Sequence, residues 1–119
     1  MKVILSLEPL ADAAWKTHAS GVQILVAPLP SERDGELEAE STKKKGNVDQ
    51  QQLVRKVLPE VVKDWRGVGD KDGQPAACNA KAIEQLARTH GRTIGAWIVR
   101  EARSLEHYLV AEVGEAKKD

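Results

Sequence analysis

The fold is decided by residues 53–79, which read LVRKVLPEVVKDWRGVGDKDGQPAACN. From Leu53 to Trp65, apolar residues recur every three or four positions, which predicts one amphipathic helix. Pro59 lies inside this pattern and predicts a kink or a break, the alternative being two shorter helices. The segment after Trp65 is rich in Gly and Asp and predicts a turn, and Asn79 predicts the N-cap of the next helix.

Before this stretch, residues 1–30 predict a small antiparallel β-element. Val3–Leu7 is short and rich in branched residues, which is typical of a strand. Residues 14–28 predict a β-hairpin with its turn at Ala19-Ser20-Gly21. Because an isolated two-stranded ribbon is marginally stable, we expect the Val3–Leu7 strand or a helix to pack beside the hairpin.

Residues 31–46 are dominated by charged and small residues, with Leu37 as the one strongly apolar side chain. Such a composition does not offset the entropy of ordering. Ser31 would be a suitable N-cap for a short helix, but the composition favours a charged mobile linker or a partly formed helix. Lys43–Lys45 is interpreted as a solvated charge run.

Residues 47–113 predict the helical part of the chain. Asn47 or Asp49 would cap the first helix, and Asn79 would cap a helix over Ala80 to His90 that stops at Gly91. The longest helix is predicted to begin at Thr93 and reach Gly114, with an apolar face formed by Ile94, Trp97, Ile98, Ala102, Leu105, Tyr108 and Leu109. Residues 114–119 are expected to be a frayed tail. The prediction is a single α+β domain over 1–119, with a hairpin plus short strand followed by three to four helices.

Composition excludes several classes of protein. Eighteen basic and eighteen acidic residues give a formal net charge of zero, which argues against phosphate-backbone binding. The single Cys78 makes no intramolecular disulfide, and neither a secretory leader nor a membrane-spanning run is apparent. We expect a soluble protein in a reducing cytoplasm, with no membrane partner.

The sequence contains no complete catalytic or metal-binding motif. Asp70-Lys71-Asp72-Gly73 matches the middle of a calcium-binding EF-hand loop, but Val68 and Asn79 then occupy the first and last ligand positions, where they fail as ligands. The histidines at 18, 90 and 107 fall in three different predicted elements. A Cys78 thiolate enzyme remains a weaker hypothesis. We therefore expect no enzymatic activity, no metal and no cofactor.

The tryptophans and arginines leave alternatives open. Trp65 and Trp97 are most simply core residues, but a partly exposed Trp would be a protein–protein hot spot. Four arginines lie close together in the sequence near the last two helices: Arg88, Arg92, Arg100 and Arg103. They support a competing hypothesis, a nucleic-acid-binding regulator of helix-turn-helix type, although intrahelical salt bridges also explain them.

The stretch also carries a family pattern. It combines Trp65-Arg66-Gly67-Val68, an acidic turn that ends in Pro75, and Asn79 followed by Ile83, and it is preceded by a β-segment over 20–26. This pattern resembles the small tail assembly chaperones and related minor tail proteins of long-tailed bacteriophages and prophages. The resemblance implies a non-enzymatic protein that binds the tape-measure protein and tail-tube subunits during tail assembly, and a longer product made by ribosomal frameshifting.

Two sets of residues follow from this hypothesis. A partner would be met by the C-terminal helix, through Trp97, Arg100, Leu105 and Tyr108. A structural corner would be formed by Trp65, Gly67, Val68, Asp70, Asp72, Gly73, Pro75 and Asn79. We expect concentration-dependent self-association or co-purification with a long coiled-coil protein.

Overall fold

A computed structural model describes residues 4–5, 13–43, 46–104 and 109–110. The strands are β1 (Ile4–Leu5), β2 (Ala14–Thr17), β3 (Gln23–Val26), β4 (Val62–Arg66) and β5 (Leu109–Val110). The helices are α1 (Ser31–Glu40), α2 (Gln50–Val61), α3 (Ala80–Thr89) and α4 (Ala96–Ala102), with a π-helical turn at Gly91–Gly95 before α4. The predicted α+β class is confirmed.

The main sheet is antiparallel and has the strand order β2-β3-β4. The predicted hairpin is confirmed as β2 and β3, with Trp15 opposite Leu25. The third strand is β4, which pairs with β3 so that Trp65 lies opposite Ile24. The predicted N-terminal strand is not beside the hairpin, because β1 pairs with β5 instead.

The predicted helix does not continue to Trp65. Asp49 caps α2 by accepting bonds from the backbone N–H groups of Gln51 and Gln52. The helix passes through Pro59 as one segment and ends at Val61, so the two-helix alternative is wrong as well. Strand β4 follows at once.

A β-bulge explains why the sequence pattern imitates a helix here. Val26 pairs with Val62 but Leu25 pairs with Asp64, so Lys63 is an extra residue in the ladder. The bulge places Val62 and Trp65, three residues apart, on the same buried face. Residues three apart also share one face of a helix. The apolar periodicity of the sequence therefore predicts a helix where the structure has β4.

The charged segment predicted as a linker contains α1, which is a correction. Leu37 is 2% exposed, so the one apolar side chain of the segment is in the core. Arg33 spans α1 and α2, donating from Nε to Glu60 Oε1 at 2.9 Å and from Nη2 to Glu60 Oε2 at 2.6 Å. The helix begins after Pro30, and no side chain caps it. Long-range contacts, which local composition does not reveal, order this segment.

The C-terminal helices also differ from prediction. Asn79 caps α3 through the backbone N–H of Ala82, as predicted. Helix α3 ends at Thr89 with His90 as its C-cap, so Gly91 follows the helix end as predicted, and the π-helical turn at Gly91–Gly95 then leads into α4. The last helix is shorter than predicted: α4 ends at Ala102, and Leu109 lies in β5. The expectations for 105–108 and for the tail at 114–119 lie outside the described residues.

Helix α2 is the centre of the core. Its buried residues pack against α3, α4 and β4, and Val57 and Leu58 are fully buried. The remaining large members of the cluster come from every neighbouring element: Ile24, Val26, Leu29, Leu37, Trp65, Ile83, Leu86, Ile94, Ile98 and Val99. The helices thus cover one face of the sheet, and its other face stays outside the core.

Candidate protein-binding surface

The outer face of the sheet carries the side chains that alternate with the core residues. Along β3, Ile24 and Val26 are fully buried, whereas Leu25 between them is half-buried. The register places Trp15 of β2 and Asp64 of β4 on either side of Leu25. Since strand residues alternate between faces, these three side chains share the outer face. We call the outer face, with Trp15, Leu25, Asp64 and Arg66, the sheet surface.

Trp15 is the large hydrophobic residue that stands out on this surface. Its side chain is 37% exposed, and the other large hydrophobic residues within 13–43 and 46–104 are less exposed. A Trp at this level of exposure leaves a substantial apolar area in contact with water. Such residues are frequent anchors of protein–protein contacts.

Arg66 contacts the face of the Trp15 ring. Its guanidinium carbon lies 4.1 Å from the centre of the indole ring, a cation–π contact. Because β3 lies between β2 and β4, the Arg66 side chain crosses β3 to reach the ring.

The residues predicted to meet a partner are placed elsewhere. Trp97 is half-buried on α4, and its ring meets the His18 ring edge-on at a centroid distance of 5.1 Å. Arg100 is exposed on the same helix. Leu105 and Tyr108 lie outside the described residues, so the predicted four-residue surface stays a prediction.

The predicted corner residues lie on β4 and the loop after it. The Trp65 indole N–H donates a 2.8 Å bond to the Ala76 carbonyl. Asp70 accepts the backbone N–H groups of Asp72 and Gln74 through Oδ1, at 2.9 and 3.0 Å. The Asp70 carboxylate is thus used inside the loop, which is the role expected of a turn aspartate.

The other members of the corner shape the backbone. Gly67 and Gly73 have φ values of +86° and +79°, in the left-handed region that favours glycine. Gly69 and Pro75 form an isolated antiparallel bridge, and Val68 is half-buried against the core. Asn79 closes the loop as the N-cap of α3.

The single cysteine of the chain, Cys78, is not activated as a nucleophile. Burial raises the pKa of the Cys78 thiol, and the charge of Asp64 raises it further. The thiol form is therefore favoured, which is the opposite of an activated nucleophile. No group of three or more His, Cys, Asp or Glu residues within the described ranges is arranged to hold a metal ion.

Sequence reasoning missed the sheet surface. An interface role is predicted only as an alternative for Trp65 and Trp97, and Trp15 is predicted only as part of the hairpin. The available signal was the alternation from Trp15 to His18 together with the position of Arg66 after Trp65. Once Trp65 is assigned to the inner face of a strand, Arg66 falls on the outer face with Trp15.

The structure is that of a small α+β protein with a Trp–Arg pair on the outer face of its sheet. The chain belongs to the YdaY prophage protein family, whose model matches residues 20–119. The match begins in the turn between β2 and β3. No curated protein and no solved structure matches the chain. In the part of the chain that the structure describes, the helices lack the length and apolar character needed to cross a bilayer.

Proposed function

We propose that this prophage protein is a non-enzymatic tail assembly protein that binds a tape-measure or tail-tube protein. Two findings support the proposal: membership of a prophage family, and the Trp15–Arg66 pair on the sheet surface. The pair is the observation that carries it. Trp and Arg are the residue types most enriched among the side chains that dominate protein–protein binding.

The binding surface in this proposal is the sheet surface and not an apolar helix face. Most large apolar residues of the described helices are already in the core, packed against α2 or the sheet. Trp15 and Leu25 instead lie side by side at the protein surface, with Asp64 and Arg66 of β4 on the far side of Leu25. An apolar centre with charged neighbours is the usual composition of a protein interface.

Co-purification tests the proposal. The full chain, tagged, is co-expressed with the tape-measure protein and separately with the tail-tube protein of the same prophage. We expect one of them to be retained, and Trp15→Ala to weaken its binding by about thirtyfold, the effect of removing a hot-spot side chain. Gln23→Ala on the same face is the matched control and should retain the partner.

Two results would contradict the proposal. One is retention of neither tail protein by the wild-type chain. The other is equal retention by Trp15→Ala and wild type, which would remove the sheet surface from the interaction. Melting curves of both variants check that the fold is intact, since both side chains lie outside the core.

A further inference from the structure

A second surface of the molecule combines an apolar floor with a basic rim. It is a groove of about 740 Å³ between the start of α2, the π-helical turn and α4. Leu53, Val54 and Val99 line its floor. Lys43, Arg92 and Arg100 line its rim. None of these residues belongs to the sheet surface, so the groove is a separate feature.

The rim cations have no partners among the described residues. Arg103, a fourth basic residue of the lining, is neutralised by Asp34 at 2.7 Å and faces Glu38 at 3.7 Å. Lys43, Arg92 and Arg100 make no such ion pair within the described ranges. Within the described ranges, the rim therefore carries three cations that no carboxylate pairs with, on a chain whose formal net charge is zero.

The carboxylate in the groove offsets only part of this positive charge. Asp49 is the acidic residue of the lining, and its Oδ1 accepts the N–H groups of Gln51 and Gln52 at 3.1 and 3.2 Å. These two hydrogen bonds hold the Asp49 carboxylate at the start of α2. In the part of the chain that the structure describes, three cations without an ion pair surround one carboxylate, and this excess of positive charge favours an anionic occupant.

The apolar floor of the groove favours an acidic peptide over a phosphate backbone as the occupant. Val48 and Ala96, two half-buried residues of the same lining, present the apolar surface that an occupant of the groove would contact, above the buried Leu53, Val54 and Val99. A phosphate backbone has nothing to place there, whereas a peptide with alternating acidic and apolar side chains fits both features. Arg92 and Arg100 would each pair with a carboxylate through two parallel N–H groups.

We propose that this groove binds a short acidic segment of a partner protein, with its apolar side chains on the floor and its carboxylates on Arg92 and Arg100. The volume suits a short segment better than a folded domain, because it lies in the range of small-ligand pockets. Lys43 adds charge attraction at the open end of the groove. The binding is independent of the Trp15–Arg66 pair.

Fluorescence anisotropy with a labelled peptide of repeated Glu-Leu-Glu-Ala units tests the proposal. We expect binding to the full chain that weakens as salt is raised, since exposed charges are screened. Arg92→Gln with Arg100→Gln should weaken it about tenfold, because two charged contacts are lost. The matched control, Lys71→Gln with Lys81→Gln, removes two exposed cations outside the groove and should bind like wild type.

The specificity of the groove is tested by two further probes. The same peptide with Gln in place of Glu should not bind, and a labelled DNA duplex should bind more weakly than the acidic peptide. Equal binding by the two double variants would overturn the proposal. So would equal binding of the Gln peptide or tighter binding of the duplex, the latter favouring a nucleic-acid surface. Trp15→Ala should bind the acidic peptide normally, which separates this result from the tail-protein experiment.

Discussion

The indole N–H of Trp65 donates a hydrogen bond to the carbonyl oxygen of Ala76, 2.8 Å away. One side chain therefore joins the last strand of the sheet to the far end of the loop that precedes α3. The ring itself is 7% exposed and packs in the core cluster. Trp65 thus fills the core with its ring and positions the loop with its N–H group.

Replacement of Trp65 separates these two roles. Trp65→Phe keeps most of the apolar ring but leaves the Ala76 carbonyl unpaired, so we expect a loss of about 1–2 kcal/mol in the free energy of unfolding. Trp65→Ala also removes the ring and should cost about 3–5 kcal/mol. Urea denaturation measures both. Trp15→Phe, at an exposed position, is the control, and a fully stable Trp65→Phe would mean that the hydrogen bond contributes nothing.

The two glycines of the π-helical turn should respond differently to alanine. A Cβ at Gly95 would lie 2.7 Å from Val54 Cγ1, whereas one at Gly91 would lie 3.8 Å from the same atom. Gly95→Ala should therefore destabilise the fold by about 1–3 kcal/mol through overpacking. Gly91→Ala makes an ordinary contact and should be nearly neutral.

Val54 provides the second half of this test. Val54→Ala removes the methyl group that the new Cβ would meet, so the double variant with Gly95→Ala should be more stable than the sum of the two single changes predicts. Denaturation of all four proteins gives the coupling free energy. Strict additivity would show that the clash is relieved by movement elsewhere.

The Arg33–Glu60 pair predicts a pH dependence. The hydrogen bond from Arg33 lowers the pKa of Glu60 below its ordinary value of 4.5. The unfolded chain then takes up this proton more readily than the folded one, so the stabilisation is present above pH 4.5 and is lost as the pH falls through the folded pKa.

Melting temperatures of wild type and Glu60→Gln, measured from neutral to acidic pH, check this dependence. The wild type should be more stable near neutrality, and the two curves should converge in acid. Glu84→Gln is the control, since it disrupts an exposed pair with Arg88 within α3. A difference between wild type and Glu60→Gln that is constant with pH would contradict the assignment.

Cys78 should react slowly with alkylating reagents in the folded chain. Its pKa is raised by burial and then by the Asp64 charge, so less thiolate is present than on an ordinary cysteine. At a mildly alkaline pH we expect several-fold faster alkylation of the chain unfolded in urea. Fast alkylation of the native chain would revive the thiolate hypothesis.

The sequence predicts those parts of the fold that depend on local chemistry. Asn79 could be assigned as an N-cap and the hairpin turn could be found at Gly21, because caps and turns are set by neighbouring residues. Strand β4 could not be predicted, since its bulge gives Val62 and Trp65 the spacing of a helix. Helix α1 could not be predicted either, because Arg33 and Glu60 are far apart in the sequence.

The surfaces are harder to predict than the elements. The sheet surface depends on which side of a strand Trp15 and Arg66 occupy, and this follows only from the register of three strands. The groove forms because the fold brings Lys43 to the same surface as Arg92 and Arg100, which are distant from it in the sequence. The order of charged residues along the chain predicts neither surface, because contacts in the folded chain decide which cations form ion pairs.

The direct junction between α2 and β4 restricts how chains of this kind can vary in length. Val61 ends the helix and Val62 begins the strand, with no residue between them. If one residue were inserted here and the register of β4 shifted by one, each of its side chains would change face. Asp64 and Arg66 would then point inward and Trp65 would point into solvent. Length changes are therefore expected to accumulate in the turns at Gly21, Gly46 and Gly73, while this junction keeps a constant length in every working relative.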